Sequence, residues 1–569
     1  MTMTIDQKLE YWTSATFDES TRQEVRSLRK EETALRDAFY RDLSFGTGGM
    51  RGKMGVGTNR INKYTLGRAT QGLANYLNAT HYGTQSKVVI AFDSRHNSQE
   101  LAQIVADVLA ANTIEAFLFS DLRTTPELSF AVRYLKAQAG IVLTASHNPP
   151  EYNGYKVYGP DGGQIVPPLD AALQEAIGQV AYEEIQFDPP KAPIRHIDIE
   201  VDRAYWETVL DLMPPLNTKK RDLKIVFTSL HGTAITAIPK VLQLAGFNRL
   251  SIVKEQMHPD GDFPTVKSPN PEEPEALSMA MTLAKKESAD IVIGTDPDCD
   301  RLGVGVRDSD GYYHLLDGNQ LMILLTDYIL TTLQANNQLP TQGFVATTIV
   351  STPIMAAIAS HFGLTCVTTL TGFKWIADAI EKKPENTFIC GGEESYGFLV
   401  GTSVRDKDAV SAALLTAYLA QELKTKGKNL IDQLLECYTR YGFSLDRLLS
   451  YTKEGPSGQE EINNCMMQFR TNPPKTFSGS PLIRSTDYLS GIVTDWTTKQ
   501  EHPTGLQKAD VLIFEWANGC RMALRPSGTE PKIKYYLNAR GTYTLDQSWE
   551  ENKTTLTSQL DALEAAFGL

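Results

Sequence analysis

Six cysteines in 569 residues, at positions 299, 366, 390, 437, 465 and 520, leave no C-x-x-C pair. That spacing supports neither a zinc knuckle nor a disulfide framework. Basic charge is also short: 55 Lys and Arg against 68 Asp and Glu give a formal net charge of −13. A protein that grips nucleic acid carries a basic excess, so no nucleic-acid partner is expected. The same balance does not oppose a small anion, because a few local Arg or Lys side chains hold a phosphate whatever the whole surface carries. Long apolar runs are missing as well. The most apolar stretch, Leu321 to Leu333, is interrupted by Asp327 and is too short to span a bilayer. Asp6, Lys8 and Glu10 stand where a signal peptide needs its apolar core. The expectation is a reduced, cytoplasmic protein with no membrane partner.

What is present is ordinary globular composition, 41% hydrophobic and 22% charged. Single cores stop growing near ~250–300 residues, so the length predicts three or four domains. Three segments repeat one pattern of apolar run, helical stretch and second apolar run. They begin at Lys87–Asp93 (KVVIAFD), Lys224–Leu230 (KIVFTSL) and Phe344–Val350 (FVATTIV). Their helices are predicted near 99–111, 237–245 and 353–362. Each is followed by a further strand-like run ending in an unusual loop, at 141–143, 291–293 and 388–389. Strands alternating with helices predict α/β units with mixed, mostly parallel sheets. Ligands then bind beyond the carboxyl ends of the strands. After Arg440 the pattern changes to α+β and closes with a helix predicted near Leu545 to Phe567, carrying Leu556, Leu560, Leu563 and Phe567 at helical spacing. Pro-rich stretches at 188–193, 214–215 and 472–481 supply linkers. The expected domains are 1–205, 206–315, 316–440 and 441–569.

The loops carry the chemistry. TASHNP (Thr144–Pro149) places Ser146 at the end of a strand, exposed enough to serve as a nucleophile or phosphate carrier; a plain turn or helix cap is the alternative. GTDPDCDR (Gly294–Arg301) sets Asp296, Asp298 and Asp300 at alternate positions, which in an extended loop puts three carboxylates on one side, a hard-oxygen site suited to Mg²⁺. A calcium EF-hand fails, since Arg301 stands where Gly is needed and Arg307 where Glu is needed. GGEESYGF (Gly391–Phe398) offers Glu393 and Ser395 to sugar hydroxyls, or is an acidic helix start. RPSGTEPK (Arg525–Lys532) combines an arginine, two hydroxyls and a glycine able to surround a phosphate, or is a turn. GTGGMRG (Gly46–Gly52) fits neither a Walker A loop nor G-x-G-x-x-G, and is expected to present Arg51 on a tight loop facing an anion.

The loops TASHNP, GTDPDCDR, GGEESYGF and RPSGTEPK, in this order, resemble the α-D-phosphohexomutase superfamily and, within it, its phosphoglucomutase branch, over most of the chain, from GTGGMRG near residue 46 to RPSGTEPK near residue 532. The resemblance implies three similar α/β domains and a smaller C-terminal α+β domain around a central cleft, each domain supplying one loop. It implies that Ser146 carries a phosphoryl group and that Asp296, Asp298 and Asp300 bind Mg²⁺ with an oxygen on Ser146. Glu393 and Ser395 match sugar-hydroxyl ligands, and Arg525, Ser527, Gly528 and Thr529 match a phosphate-binding loop. Arg51, Arg301, Thr371 and Lys407 match further substrate contacts, Arg51 and Lys407 also assisting catalysis. His147 and Lys156 match positions close to the phosphoserine. Cys299 replaces the family's usual alanine and is expected to face away from the ligands. The implied reaction interconverts glucose 1-phosphate and glucose 6-phosphate through a glucose 1,6-bisphosphate intermediate, with pentose or mannose phosphates as alternatives and a phosphohydrolase as a weaker one. The only partner implied is a small sugar phosphate; a monomer or weak dimer is expected.

Overall fold

A computed structural model describes residues 3–46, 48–453, 456–527, 532–544 and 549–568. The chain divides into two compact units: Met1–Gly318 with Phe373–Asn429, and Asn319–Gly372 with Leu430–Leu569.

In the first unit, β1 (Gly49–Lys53), β2 (Lys87–Phe92), β3 (Glu115–Phe119), β4 (Ala139–Leu143), β5 (Tyr152–Tyr158) and β6 (Ile194–Ile197) form a sheet in the order β1-β5-β4-β2-β3-β6. The four strands β4, β2, β3 and β6 run parallel, β5 pairs antiparallel with β4, and β1 pairs antiparallel with β5. β2 and β4 are buried almost throughout, as Val- and Ile-rich strands covered on both faces should be. A second sheet, in the order β11-β10-β9-β7-β8, contains β7 (Ile225–Thr228), β8 (Leu250–Ile252), β9 (Ile291–Thr295), β10 (Leu302–Arg307) and β11 (Tyr313–Leu316). Here too β7, β8 and β9 are parallel, β10 pairs antiparallel with β9, and β11 pairs antiparallel with β10.

The third α/β segment is shared between the units. β12 (Gly343–Thr348) and β13 (Thr365–Thr369) pair in parallel in the second unit. β14 (Thr387–Glu393) and β15 (Gly397–Val400) form an antiparallel hairpin in the first. The repeat seen in the sequence is therefore structural: β4, β9 and β14 each turn back into an antiparallel partner, and each unusual loop is that turn.

The predicted helices of the three segments are observed at Ser98–Ala111, Ile238–Leu244 and Ile354–His361. Helix Ala409–Thr425 is capped by Asp408, whose carboxylate accepts from Val410 N and Ser411 N at 2.9 and 3.2 Å. Packed against β9, β10 and helices Ile199–Asp211 and Ile238–Leu244, it joins the third segment to the second within the first unit.

In the second unit a C-terminal sheet contains β16 (Phe443–Thr452), β17 (Thr476–Phe477), β18 (Ser480–Asp487), β19 (Ile492–Asp495), β20 (Gln500–Pro503), β21 (Leu512–Trp516), β22 (Arg521–Pro526) and β23 (Lys532–Gly541). Its main path runs β16-β23-β22-β21-β18-β19-β20, antiparallel throughout, with β17 beside β18. Helix Trp549–Phe567 covers β23 and β16 and buries Leu556, Leu560 and Leu563; Leu545, where the helix was expected to begin, lies outside the described residues. Among the described residues no helix is long and apolar enough to cross a membrane.

Candidate active site

Within the first unit, the β4–β5 and β9–β10 turns meet. Ser146 Oγ donates to Asp296 Oδ2 at 2.6 Å. Ser146 is 3% exposed and has φ of 50°, a left-handed conformation that costs a non-glycine residue energy and persists where the surroundings hold it. Its N–H is held by Thr144 Oγ1 at 2.8 Å. His147 Nδ1 lies 3.2 Å from Ser146 Oγ, so these two neighbouring side chains converge.

Asp296, Asp298 and Asp300 are buried, and their ligand atoms lie within 4.8 Å of one another. The reason differs from the extended-loop expectation. Residues 297–299 form a turn in which Cys299 has φ of 60°, and Asp296 Oδ1 accepts from the N–H groups of Asp300 and Arg301, each at 3.1 Å. The carboxylates converge because the chain folds back on Asp296, not because they alternate along an extended strand. Cys299 is fully buried, and burial, reinforced by the charge of Asp408, pushes its thiol well above the usual range. Gly232, of the loop following β7, packs on Pro297, and Thr233 donates to Pro297 O from N and from Oγ1, each at 2.8 Å.

Three cations are interleaved with the carboxylates. Lys156 Nζ lies 2.8 Å from Asp298 Oδ2 and 3.6 Å from Asp300 Oδ2. Lys407 Nζ lies 3.2 Å from both Asp300 Oδ2 and Asp406 Oδ1. Arg301 is ion-paired with Glu272, its Nε 3.8 Å from both Asp296 Oδ2 and Asp300 Oδ1. Burial, reinforced by the charges of Asp298 and Asp300, holds the Asp296 carboxyl well above the usual range. Burial acts the same way on Asp298, but the charge and hydrogen bond of Lys156 outweigh it and hold that carboxyl below the range. Thr125 adds a 3.0 Å hydrogen bond to Asp298 Oδ2, and its N–H donates to Asp298 O at 2.9 Å. Asp298 Oδ1 and Asp300 Oδ1 are buried without a hydrogen-bond partner. Two orphaned carboxylate oxygens beside a third carboxylate are the donor set a hard divalent cation takes, so these residues fit Mg²⁺.

Glu393 ends β14 and is 4% exposed, Ser395 lies in the turn to β15, and Tyr396 takes φ of 65°. The segment is thus a hairpin turn and not a helix start. Tyr396 O accepts from Leu302 N at 2.9 Å, tying this turn to the end of the aspartate loop. Gly397 leaves room for Lys407, whose Cδ would lie 2.1 Å from a Cβ there. Arg51 departs from expectation: it lies in β1, paired with Gly154 of β5, rather than on a tight loop. Pairing with β5 still brings it to the Ser146 loop, where Nη1 donates to Asn148 Oδ1 at 2.9 Å.

The first unit therefore brings together Ser146, His147, Lys156, Asp296, Asp298, Asp300, Arg301 and Lys407, with Arg51 at the edge of the serine loop and Glu393 and Ser395 on the turn tied to the aspartate loop. Thr371, Arg525 and Ser527 belong to the second unit. There Thr371 Oγ1 is buried without a partner. Arg525 pairs with Lys534 across β22–β23, and Ser527 N donates to Lys532 O at 2.7 Å, closing a hairpin loop. Gly528 and Thr529 lie outside the described residues. Thr125 and Gly232 were missed by the sequence reading. Neither carries a local signal, because each acts on a loop far away in the chain.

Residues 42–184, 203–311 and 317–441 match, in order, the family models described as phosphoglucomutase/phosphomannomutase α/β/α domains I, II and III. A phosphoglucomutase of Staphylococcus epidermidis is 41% identical over 503 residues, 87% of this chain and 90% of its own. One from Staphylococcus aureus is 41% identical over 519 residues, 90% of this chain and 92% of its own. The open form of parafusin, a Paramecium phosphoglucomutase, shares the fold at 17% identity with a TM-score of 0.69, covering 93% of this chain and 96% of that one. A phosphoglucomutase/phosphomannomutase family protein from Burkholderia thailandensis does so at 19% identity and a TM-score of 0.64, covering 92% and 97%. With three domain models matched in order and close relatives along most of its length, the chain belongs to the phosphoglucomutase/phosphomannomutase family.

Proposed function

We propose that this chain is a phosphoglucomutase that interconverts glucose 1-phosphate and glucose 6-phosphate, with Ser146 as phosphoryl carrier and glucose 1,6-bisphosphate as intermediate. One observation carries the reading: Ser146 Oγ sits 2.6 Å from Asp296 in a buried group of three carboxylates with two orphaned oxygens. The curated relatives at 41% identity are phosphoglucomutases, which favours glucose over mannose or pentose phosphates.

Asp296, Asp298 and Asp300, with the oxygen on Ser146, would hold Mg²⁺, which when bound supplies positive charge to the transferring group. The remaining work falls to the chain. Ser146, fixed at positive φ with its N–H held by Thr144, presents one oxygen in one direction, so phosphoryl transfer to and from a sugar hydroxyl follows a single line. Lys156 pairs with Asp298 and Lys407 with Asp300, and both place ammonium groups where phosphate oxygens develop charge. Arg301 and Arg51 offer guanidinium groups to phosphate oxygens, and Glu393 and Ser395 offer acceptors and a donor to sugar hydroxyls. Thr371 is assigned to the substrate, and Arg525, Ser527, Gly528 and Thr529 to the phosphate that is not reacting. A bisphosphate must present first one phosphate and then the other to Ser146, and two sets of anion donors meet that need. We assign the domains as 1–205, 206–315, 316–440 and 441–569.

The test is a side-by-side rate measurement on glucose 1-phosphate, mannose 1-phosphate and ribose 1-phosphate, each with its bisphosphate, for the parent and Ser146→Ala. Glucose 1-phosphate should be turned over fastest, and Ser146→Ala should lose turnover while melting normally. Substantial activity in Ser146→Ala, or release of free phosphate in place of isomerisation, would overturn the proposal.

A further inference from the structure

The loop that carries Ser146 is held from behind by a residue outside every motif described above. Arg95 follows β2, and its side chain is fully buried. From Nη1 it donates to the carbonyls of Pro149 and Tyr152 at 2.8 and 2.9 Å, and from Nη2 to those of Ser146, at 2.6 Å, and Asn148. Carbonyls converging on one buried point repel one another, and a planar guanidinium with its fork of donors satisfies all four. Its Nε lies 3.4 Å from Asp93 Oδ2, so the buried cation has a buried counter-charge.

Arg95 is in turn held by the second α/β segment. Its Cζ lies 5.1 Å from the centroid of the Phe263 ring, within cation–π range. Phe263 is 1% exposed and takes φ of 47°, a conformation a bulky side chain keeps only when its surroundings impose it. Two residues earlier, Gly261 comes so close to the Arg95 loop that a Cβ would lie 2.7 Å from His96 N. Asp262 Oδ1 is 2.7 Å from His96 Nε2. Residues 261–263 therefore clasp residues 94–96, and residues 94–96 clasp the serine loop. The segment that supplies the clasp also supplies Asp296, Asp298 and Asp300.

We propose that Arg95 and Phe263 are positioning residues for Ser146. Arg95 ties the backbone of the serine loop, and Phe263 holds Arg95, so that Ser146 Oγ keeps its place relative to the three aspartates. Neither residue forms or breaks a bond in the reaction. The proposal deepens the reading of Ser146 as phosphoryl carrier and rests on it.

The experiment uses full-length protein, with Arg95→Lys and Phe263→Leu beside the parent. Each is measured for thermal midpoint, for kcat and KM on glucose 1-phosphate, and for the single-turnover rate of Ser146 phosphorylation by glucose 1,6-bisphosphate, followed by intact mass. Displacing a reacting group by about 1 Å costs on the order of a hundredfold in rate. Arg95→Lys keeps the charge but loses the fork, so kcat and the phosphorylation rate should fall by roughly that factor while KM stays within about threefold. Phe263→Leu keeps apolar volume and loses the ring face, so both rates should fall by about three- to tenfold. Two results would overturn the proposal: a folded Phe263→Leu with parental phosphorylation rate, or losses in which KM rises together with a falling thermal midpoint. If Arg95→Lys does not fold, Phe263→Leu decides alone. A parent enzyme that never gains phosphate on Ser146 would sink the underlying reading itself, and that is seen before either variant is compared.

Discussion

Replacing Gly232 with alanine separates the steric role of the residue from any need for backbone freedom. Gly232 has φ of −103° and ψ of −168°, which alanine adopts without strain. Taken alone the change should stabilise the fold by about 0.4–1 kcal/mol, because alanine restricts the unfolded chain. The native state opposes it. A Cβ at this position would lie 2.4 Å from Pro297 Cα, 2.6 Å from its O and 2.8 Å from its C. Carbon atoms rest at about 3.5–4.0 Å, so Pro297 must retreat by roughly 1 Å. These are backbone atoms, and Pro297 stands between Asp296 and Asp298 with its carbonyl held twice by Thr233. Overpacking of this kind costs about 1–3 kcal/mol, and a shift near 1 Å in a reacting constellation costs on the order of a hundredfold in rate. The assay is a Mg²⁺ titration of mutase activity run beside a thermal melt. Gly232→Ala should lower kcat by about that hundredfold and raise the half-saturating Mg²⁺. Gly178→Ala is the control. It ends helix Leu169–Gly178 with nothing within 4 Å of its added Cβ, so it should keep activity and gain up to about 1 kcal/mol of stability. Parental kcat and Mg²⁺ midpoint in Gly232→Ala would refute the reasoning, as would a loss that merely tracks the unfolded fraction.

Asp298→Asn keeps the shape but removes the charge that Lys156 and a cation share, so the half-saturating Mg²⁺ should rise at least roughly tenfold and kcat should fall with it; an unchanged titration would remove Asp298 from the metal site. Lys374 is held down to about 8, mainly by burial, with the charge of Asp170 acting in the opposite direction. Between pH 8 and its ordinary value of 10.5 the unfolded chain binds the proton that the folded chain releases, so this group makes stability rise with pH across that window. Lys374→Met should lack that rise in thermal midpoint, and identical pH slopes for the two proteins would refute the assignment.

The serine and aspartate loops were legible because their residues are adjacent in the chain and chemically unusual there. Three carboxylates in five residues announce a cation whatever the backbone does. The sequence could not show the backbone, however, and the alternation that suggested an extended loop turned out to be a turn through Cys299. Arg51 illustrates the same limit. Its glycine-rich surroundings read as a loop, yet Gly49–Lys53 pairs residue by residue with Tyr152–Lys156, and a strand partner 100 residues away leaves no local trace. The repeat of three segments was legible because hydrophobic periodicity is local. Lys156 and Lys407 entered only through family resemblance, since an isolated lysine carries no signal of the carboxylate it will meet. Arg95 and Gly232 were invisible for a related reason: each acts on main-chain atoms of a distant loop, and main-chain atoms are the same in every sequence, while Thr125 meets Asp298 from 173 residues away.

The arrangement of charge bears on how a phosphate could enter so acidic a place. Breaking an isolated buried ion pair by removing one partner costs about 3–5 kcal/mol, because a charge is left uncompensated. Here no cation has a single partner. Lys156 is shared by Asp298 and Asp300, Lys407 by Asp300 and Asp406, and Arg301 by Glu272, Asp296 and Asp300. Asp300 is the clearest case, since Lys156, Lys407 and Arg301 all reach it. A phosphate oxygen that draws one of these cations toward itself leaves Asp300 with the two others. Sharing of this kind lowers the penalty for moving a charge from protein to a bound anion. It also explains why a formal net charge of −13 said nothing against phosphate: the cations that matter are not an excess but a set already paid out among neighbouring carboxylates.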